Sequence, residues 1–262
     1  MGNLMKHPAG NFCWIELGTT SQSGAKEFYT QLFGWQFNDV PMGEEMGDYT
    51  LFSIDGKEVA AMYQLNEQQH QGVPPHWMPY VSVENADEMS AKVEKLGGTV
   101  LMPPFDVFTH GRMFMFKDPT GATLSVWQPK EHYGIDLAGS PGTMCWGELA
   151  TPDPDRAKKF FAELFGWSYK FSESADNYIE IVNGDQPIGG ILPMTGDQWK
   201  GIPPHWTTYF NVNNCDETVQ RAEKLGAKVC VPPTDIPKAG RFSVINDPQG
   251  AVFSVIHLTF QS

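Results

Sequence analysis

The chain is a repeat, and no other property restricts its fold as strongly. Residues 13–35 read CWIELGTTSQSGAKEFYTQLFGW, and residues 145–167 read CWGELATPDPDRAKKFFAELFGW. Cys145 lies 132 residues after Cys13. More matches follow in the same order: VPPHW at 73–77 with IPPHW at 202–206, and EKLGG at 94–98 with EKLGA at 223–227. GR at 111–112 then matches GR at 240–241, and DPTGA at 118–122 matches DPQGA at 247–251. These later pairs are 129 residues apart, so the first copy carries three extra residues. They are expected in the loop PMGEEMGD at 41–48. A Gly- and Pro-rich stretch without periodicity, PKEHYGIDLAGSPG at 129–142, separates the copies. The expected domains are 10–130 and 143–260 with a linker at 131–142, and 262 residues suit two domains of ordinary size.

Each copy divides again. Ala25, Phe28, Tyr29, Leu32 and Phe33 recur at helical spacing before Gly34. Ala157, Phe160, Phe161, Leu164 and Phe165 repeat that stripe after an Asp153 cap and Pro154, and Gly166 ends it. Asn85 with Glu88, and Asn214 with Glu217, have the spacing of a capped helix start. The stripes expected there are Met89, Val93, Leu96 and Val219, Ala222, Leu225. A β-rich segment precedes each helix: FCWIEL, WMPYVSV, MCWGEL and WTTYFNV. Alternating strands flank a type I turn at Asp118-Pro119-Thr120-Gly121 and again in DPQG. The unit is strand–helix–strand–strand–strand, four times over. The fold class expected is α+β: four βαβββ modules forming two cupped, mainly antiparallel sheets with helices on the outer faces.

Composition narrows the partners. Eighteen basic against thirty-one acidic residues give a net charge of −13, a field that repels nucleic acid and anionic membranes. No apolar run approaches the ~18 residues of a membrane span. The four cysteines form no CxxC and fit neither a disulfide scaffold nor a zinc site. The N-terminus has no apolar stretch of a secretory signal, and Lys6 stands where a myristoylation signal wants Ser or Thr. A cytoplasmic protein is expected.

The βαβββ unit, the AxxFYxxLFGW helix, the late DPxGA hairpin and the paired copies resemble the vicinal oxygen chelate superfamily. That group includes glyoxalase I, extradiol dioxygenases, and fosfomycin- and bleomycin-resistance proteins. The resemblance covers nearly the whole chain and implies that two modules form a cup holding a ligand or a divalent metal. It implies metal ligands, His or Glu, at inward positions of the strands. Counted from the helix starts, those positions fall on Trp14, Trp146, Tyr80 and Tyr209, on Ser125 and Ser254, and around Ala61 and Gly190. None is a usual metal ligand. No metal residue and no cofactor is therefore predicted, although a divalent metal in other positions stays open, for instance among Glu16, His76, Glu148 and His205.

The period of two gives the cup lining instead. Trp14, Glu16, Tyr80, Ser82, Thr123, Ser125 and Trp127 face inward in the first half; Trp146, Glu148, Tyr209, Asn211, Val252, Ser254 and Ile256 do so in the second. Aromatic walls with a few polar groups suit a flat or partly cationic organic molecule. The candidate ligand-binding residues are Trp14, Tyr80, Ser125, Trp127, Trp146, Tyr209, Asn211, Ser254, Arg112 and Arg241. Glu16 and Glu148 are the catalytic candidates, as general bases. Structural readings stand beside these. The indoles fill the cup as core, Arg112 and Arg241 cover a sheet edge or pair with Glu16 and Glu148, and His76 and His205 bond to loop backbone.

Three functions follow. The first is a bleomycin-resistance-like module that binds a small, aromatic or hydrophobic molecule without the usual metal. The second is a lyase- or hydroxylase-type enzyme using Glu16 or Glu148. The third is a duplicated scaffold with filled cups that acts through its surface. The partner expected is a small molecule, not nucleic acid or membrane. Both cups can form within one chain, which suits a monomer.

Overall fold

The computed structural model describes residues 7–43, 47–66, 72–173 and 177–259. The first half runs β1 (Phe12–Thr19), α1 (Gln22–Phe33), β2 (Gln36–Pro41), β3 (Asp48–Ile54), β4 (Lys57–Gln64), β5 (His76–Ser82), α2 (Ala86–Lys95), β6 (Thr99–Val107), β7 (Gly111–Lys117) and β8 (Thr123–Pro129). The second half repeats this as β9 (Met144–Thr151), α3 (Pro154–Phe165), β10 (Ser168–Phe171), β11 (Ile179–Asn183), β12 (Gln186–Pro193), β13 (His205–Asn211), α4 (Cys215–Lys224), β14 (Lys228–Ile236), β15 (Gly240–Asn246) and β16 (Val252–Leu258). The four-module α+β fold is thus present, one eight-stranded sheet per half. The strand orders are β2-β3-β4-β1-β5-β8-β7-β6 and β10-β11-β12-β9-β13-β16-β15-β14.

Within each module the first strand pairs in parallel with the last, and the remaining pairs are antiparallel. The repeat offset changes from 132 to 129 between Trp35/Trp167 and Tyr49/Tyr178, which brackets the expected insertion loop. Residues 44–46 of that loop lie outside the described residues.

The helices begin and end where their caps dictate. Ser21 accepts from the Gly24 N–H, Asp153 from Arg156, and Asn214 from Glu217. Asn85 accepts from Asp87 and Glu88 and donates to the Glu88 carboxylate. Gly34 and Gly166 end α1 and α3 at φ 73 and 78, values that favour glycine. One stripe differs from expectation. The buried positions of α2 are Ala86, Ser90 and Val93, while Met89 lies on the flank. The helix turns its small residues to its packing partners.

The chain packs as two compact units, each drawing one module from either half. Unit 1 comprises the chain up to Trp14, Pro79–Gly134 and Trp146–Thr207; unit 2 comprises Ile15–Met78, Ile135–Cys145 and the chain from Thr208 on. In unit 1 the core is aromatic around Phe12, Phe116, Phe160, Phe161, Trp167 and Trp206. In unit 2 it is Phe28, Tyr29, Phe33, Trp77, Phe210 and Phe253. The last carbonyls of α1 and α3 are met by matching cations. Arg221 donates to the Leu32 carbonyl at 3.3 Å in unit 2, and Lys92 to the Leu164 carbonyl at 3.3 Å in unit 1. Among the described residues no helix is long and apolar enough to cross a membrane.

Candidate functional site

Strand alternation separates two faces. Trp77, Trp206, Phe210 and Phe253 pack into the helix-side cores. Tyr80, Tyr209, Asn211 and Ser254 alternate with them and so belong to the other, concave face, as the period of two predicts.

The strand register corrects one position. Tyr80 pairs with Ser125 and Tyr209 with Ser254, but the residues that pair with Ala61 and Gly190 are Glu16 and Glu148. The first-strand position in modules one and three is therefore Glu16 and Glu148, two residues beyond Trp14 and Trp146. Pairing, not distance from the helix start, fixes a strand's phase. Both positions face the same way, so the predicted lining is unchanged.

In unit 1, module three holds a connected polar row. The Trp146 indole N–H donates to the Tyr178 hydroxyl at 2.8 Å, and that hydroxyl donates to the Glu148 carboxylate at 2.8 Å. Glu148 is 9% exposed, so its carboxyl group sits in a largely dry wall. Gly190, opposite Glu148, makes the row possible. A methyl group there would collide with the Tyr178 phenol oxygen. Tyr178 was not among the sequence candidates. It lies just before β11, outside any alternating run, and only the glycine across the sheet hints at its role.

Module two, also in unit 1, contains Tyr80, Ser125 and Trp127, all buried. Gly111 gives the Trp127 indole its room, since a side chain at 111 would overlap that ring. The Trp127 N–H donates to the His132 carbonyl at 2.9 Å. The His132 imidazole stands edge-on to Trp14, centroids 4.7 Å apart, and lies 6.0 Å from the Trp127 ring. A linker residue thus packs against two of the predicted ligand-binding indoles.

In unit 2, Glu16 is half-buried, and burial, with the Glu16 charge as the lesser cause, raises the Tyr63 phenol well above the usual tyrosine range. Tyr209 and Ser254 are buried. The Asn211 amide donates to the Gly139 carbonyl at 2.7 Å. Asn211 also lines a cleft of about 330 Å³ with Pro141, Val212, His257 and Leu258. The Ser125 and Ser254 hydroxyls, at equivalent places in the two halves, are both buried without a hydrogen-bond partner among the described residues.

The two arginines are engaged within their own modules. Arg112 grips both oxygens of Asp87 at 2.8 Å and reaches Asp106 at 3.2 Å. Arg241 grips Asp216 at 2.6 and 2.9 Å and reaches Asp235 at 2.9 Å. The guanidinium groups hold the Asp87 and Asp216 carboxyls below the usual range, and Lys130 together with Arg112 does the same for Asp106. These carboxylates, rather than Glu16 or Glu148, are the partners. His76 and His205 each meet a loop carbonyl two residues back, Pro74 and Pro203, at 2.8 Å. The loop reading of both histidines is the one observed.

Comparison with known proteins agrees with this geometry. The chain matches the family described as the Glyoxalase/Bleomycin resistance protein/Dioxygenase superfamily over residues 12–126 and 139–255. It is 41% identical to a Mycobacterium tuberculosis protein named "Putative glyoxylase CFP32", over 93% of both chains. It is 37% identical to the anthracycline biosynthesis protein DnrV of Streptomyces peucetius, over 97% of this chain and 96% of that one. Among solved structures, the Mn(II)-bound glyoxalase of Novosphingobium aromaticivorans superposes with a TM-score of 0.65 at 19% identity, covering 95% of this chain and 82% of that one. The 2,3-dioxygenase LapB of Pseudomonas sp. KL28 gives 0.64 at 14% identity, covering 97% and 94%. At these identities the two structures show a shared fold.

Proposed function

Since the chain belongs to the glyoxalase/bleomycin resistance protein/dioxygenase superfamily, we propose that it binds a small aromatic or hydrophobic organic molecule against the concave face of the sheet, without a divalent metal. One observation carries the reading: a buried carboxylate, Glu148, at the end of a hydrogen-bonded row that runs from Trp146 through Tyr178. Such a row offers flat rings a stacking surface and one oriented polar anchor.

The donor set supports the metal-free part. Of the positions where the family carries His or Glu, the register places Glu16 and Glu148 at two, while Tyr80, Tyr209, Ala61, Gly190, Ser125 and Ser254 supply no His or carboxylate to complete a ligand set. The carboxylates of Glu16 and Glu148 face Ala61 and Gly190 across their strand pairs. Among the described residues no three His, Cys, Asp or Glu side chains come together as a metal-holding group. These residues do not fit a divalent ion of the family's kind.

The relatives' names, a glyoxylase and an anthracycline biosynthesis protein, both concern small organic molecules. The enzymatic reading shares the same anchor: Glu148, oriented by Tyr178, is placed to take a proton from a bound molecule. The filled-cup reading has support in module two, where His132 packs on Trp14 and Trp127.

Titration of the purified protein with naphthalene- and anthraquinone-type compounds tests the reading. Saturable quenching of tryptophan fluorescence is expected, with affinity at least tenfold weaker in Trp146→Ala. Failure of every ring compound to bind, or metal at one equivalent per chain whose removal abolishes binding, overturns it.

A further inference from the structure

The outer strands of module two carry apolar side chains on the face turned away from the helices. Phe114 and Phe116 of β7 are buried on the helix side, where the Phe116 and Phe160 ring centroids lie 6.0 Å apart. Met113 and Met115 alternate with them and so belong to the concave face. The register builds two rungs on that face across β6, β7 and β8. One is Met102, Met115 and Ser125; the other is Phe105, Met113 and Trp127. Paired strands lie about 4.8 Å apart, so the strip measures about 10 Å from Met102 to Ser125.

Two observations mark this strip as a contact surface. Met102 and Phe105, its outer members, are each 40% exposed although they are large and apolar. At its inner end the Ser125 hydroxyl is buried without a hydrogen-bond partner among the described residues. Burying a hydroxyl unpaired costs free energy that a hydrogen bond to a bound oxygen recovers. Its cross-strand neighbour Met115 is half-buried and unbranched, a side chain able to swing aside. Module four reads differently at the same rungs: Val231, Val244 and Ser254, then Thr234, Phe242 and Ile256. It has none of the three thioethers.

We infer that this strip is a second binding surface, one for a polycyclic aromatic molecule that bears a hydroxyl or carbonyl oxygen. The rings lie over Met102, Met113 and Met115, and the oxygen meets the Ser125 hydroxyl. Sulfur attracts ring edges, and Phe105 and Trp127 add aromatic partners on the second rung. An unbranched thioether adapts to the outline of a ring system, whereas Val and Thr are stiff at the first side-chain torsion. The inference deepens the proposed ring-binding reading and rests on it for the class of ligand. It places the rings on the first sheet, apart from the Trp146 row on the second.

Carbon-13 labelling of the methionine methyl groups gives a readout local to the strip. On addition of 1-hydroxypyrene, the Met102, Met113 and Met115 resonances are expected to shift most, and to do so equally in Trp146→Ala. The double variant Met102→Val/Phe105→Thr installs module four's residues at two exposed strand positions and keeps their β-propensity. It is expected to weaken 1-hydroxypyrene about tenfold, read at Met113 and Met115, because apolar contact area is lost. The smaller 2-naphthol, which covers less of the strip, is weakened less than about threefold. Ser125→Ala weakens 1-hydroxypyrene about three- to tenfold, where a merely structural hydroxyl would leave the affinity unmoved.

Shifts spread evenly over methionines outside the strip overturn the inference, as does an affinity that survives the double variant or Ser125→Ala. Strip resonances that move when the protein alone is diluted mean that a second copy covers the face, which overturns it as well. Trp146-dependent fluorescence quenching with the strip methionines unmoved overturns this inference alone. No binding of either probe overturns the ring-binding reading with it.

Discussion

The two compact units place equivalent rings on Trp77 and Trp206, Tyr29 in one and Phe161 in the other, and at that place they differ by one oxygen atom. In unit 2, Tyr29 on α1 donates its hydroxyl to Asp247 at 2.9 Å and accepts the Trp77 N–H at 2.9 Å. In unit 1 the equivalent residues are Phe161, Asp118 and Trp206. The ring survives, since Phe161 stands edge-on to Trp206 at 5.6 Å just as Tyr29 does to Trp77 at 5.3 Å. The hydrogen bonds do not. The second carboxylate oxygen of Asp118 and the Trp206 N–H are buried without a partner among the described residues. At this place duplication has kept the ring packing more strictly than its polar satisfaction. Ring packing tolerates the loss of a hydroxyl, whereas each polar atom left behind in a dry interior carries a desolvation cost.

That comparison can be broken from either side. Tyr29→Phe makes unit 2 like unit 1 and leaves the Trp77 N–H and an Asp247 oxygen unmet. A loss of about 2–3 kcal/mol is expected in urea unfolding monitored by tryptophan fluorescence. An unchanged midpoint would mean that the bridge contributes nothing. Phe161→Tyr makes unit 1 like unit 2 and is expected to stabilise by about 1 kcal/mol in the same measurement. Destabilisation would show that unit 1 has closed over the space the oxygen needs.

A pH series sharpens the comparison. Burial raises both Asp118 and Asp247 above the usual carboxylate range. The folded state then holds these protons more tightly than the unfolded state, so their contribution is largest at low pH. It is lost as pH rises through the raised folded values. In Phe161→Tyr the new hydroxyl favours ionised Asp118, so the fall in its contribution across the weakly acidic range becomes shallower. A parallel shift of the whole curve, with no change in its slope, would contradict this account.

The smallest effect is expected at the two arginine clusters, which are alike in both units. Arg241→Met removes solvent-facing ion pairs, and Arg112→Met removes such pairs with one bond to the Pro104 carbonyl, so the unfolding midpoint should move little in either. Ring-compound binding should also be unaffected. A loss of binding in either variant would bring the guanidinium groups into the ligand set.

The repeat, the four helices, the caps at Asn85, Asp153 and Asn214 and the two DPxGA hairpins were all legible in the sequence. Each depends on neighbours in the chain or on a motif written twice. The α2 stripe was read one residue off, Met89 for Ser90, because which small residues face a packing partner is set by that partner. The first-strand register was read two residues off, since only the Ala61 and Gly190 pairings could fix it. Tyr178 was missed, because its hydroxyl meets Trp146 and Glu148 through a gap left by Gly190.

The sequence by itself determined the modules, their number and the alternation of their strands, all set by short-range periodicity and by duplication. Tertiary structure alone decided which atoms close into hydrogen-bonded sets: Trp146 with Tyr178 and Glu148, Tyr29 with Trp77 and Asp247, and Arg112 with Asp87 rather than Glu16. The reason is directional. Apolar burial follows pattern and tolerates small shifts, whereas a hydrogen bond exists only when two particular atoms from distant segments arrive within about 3 Å in the right orientation.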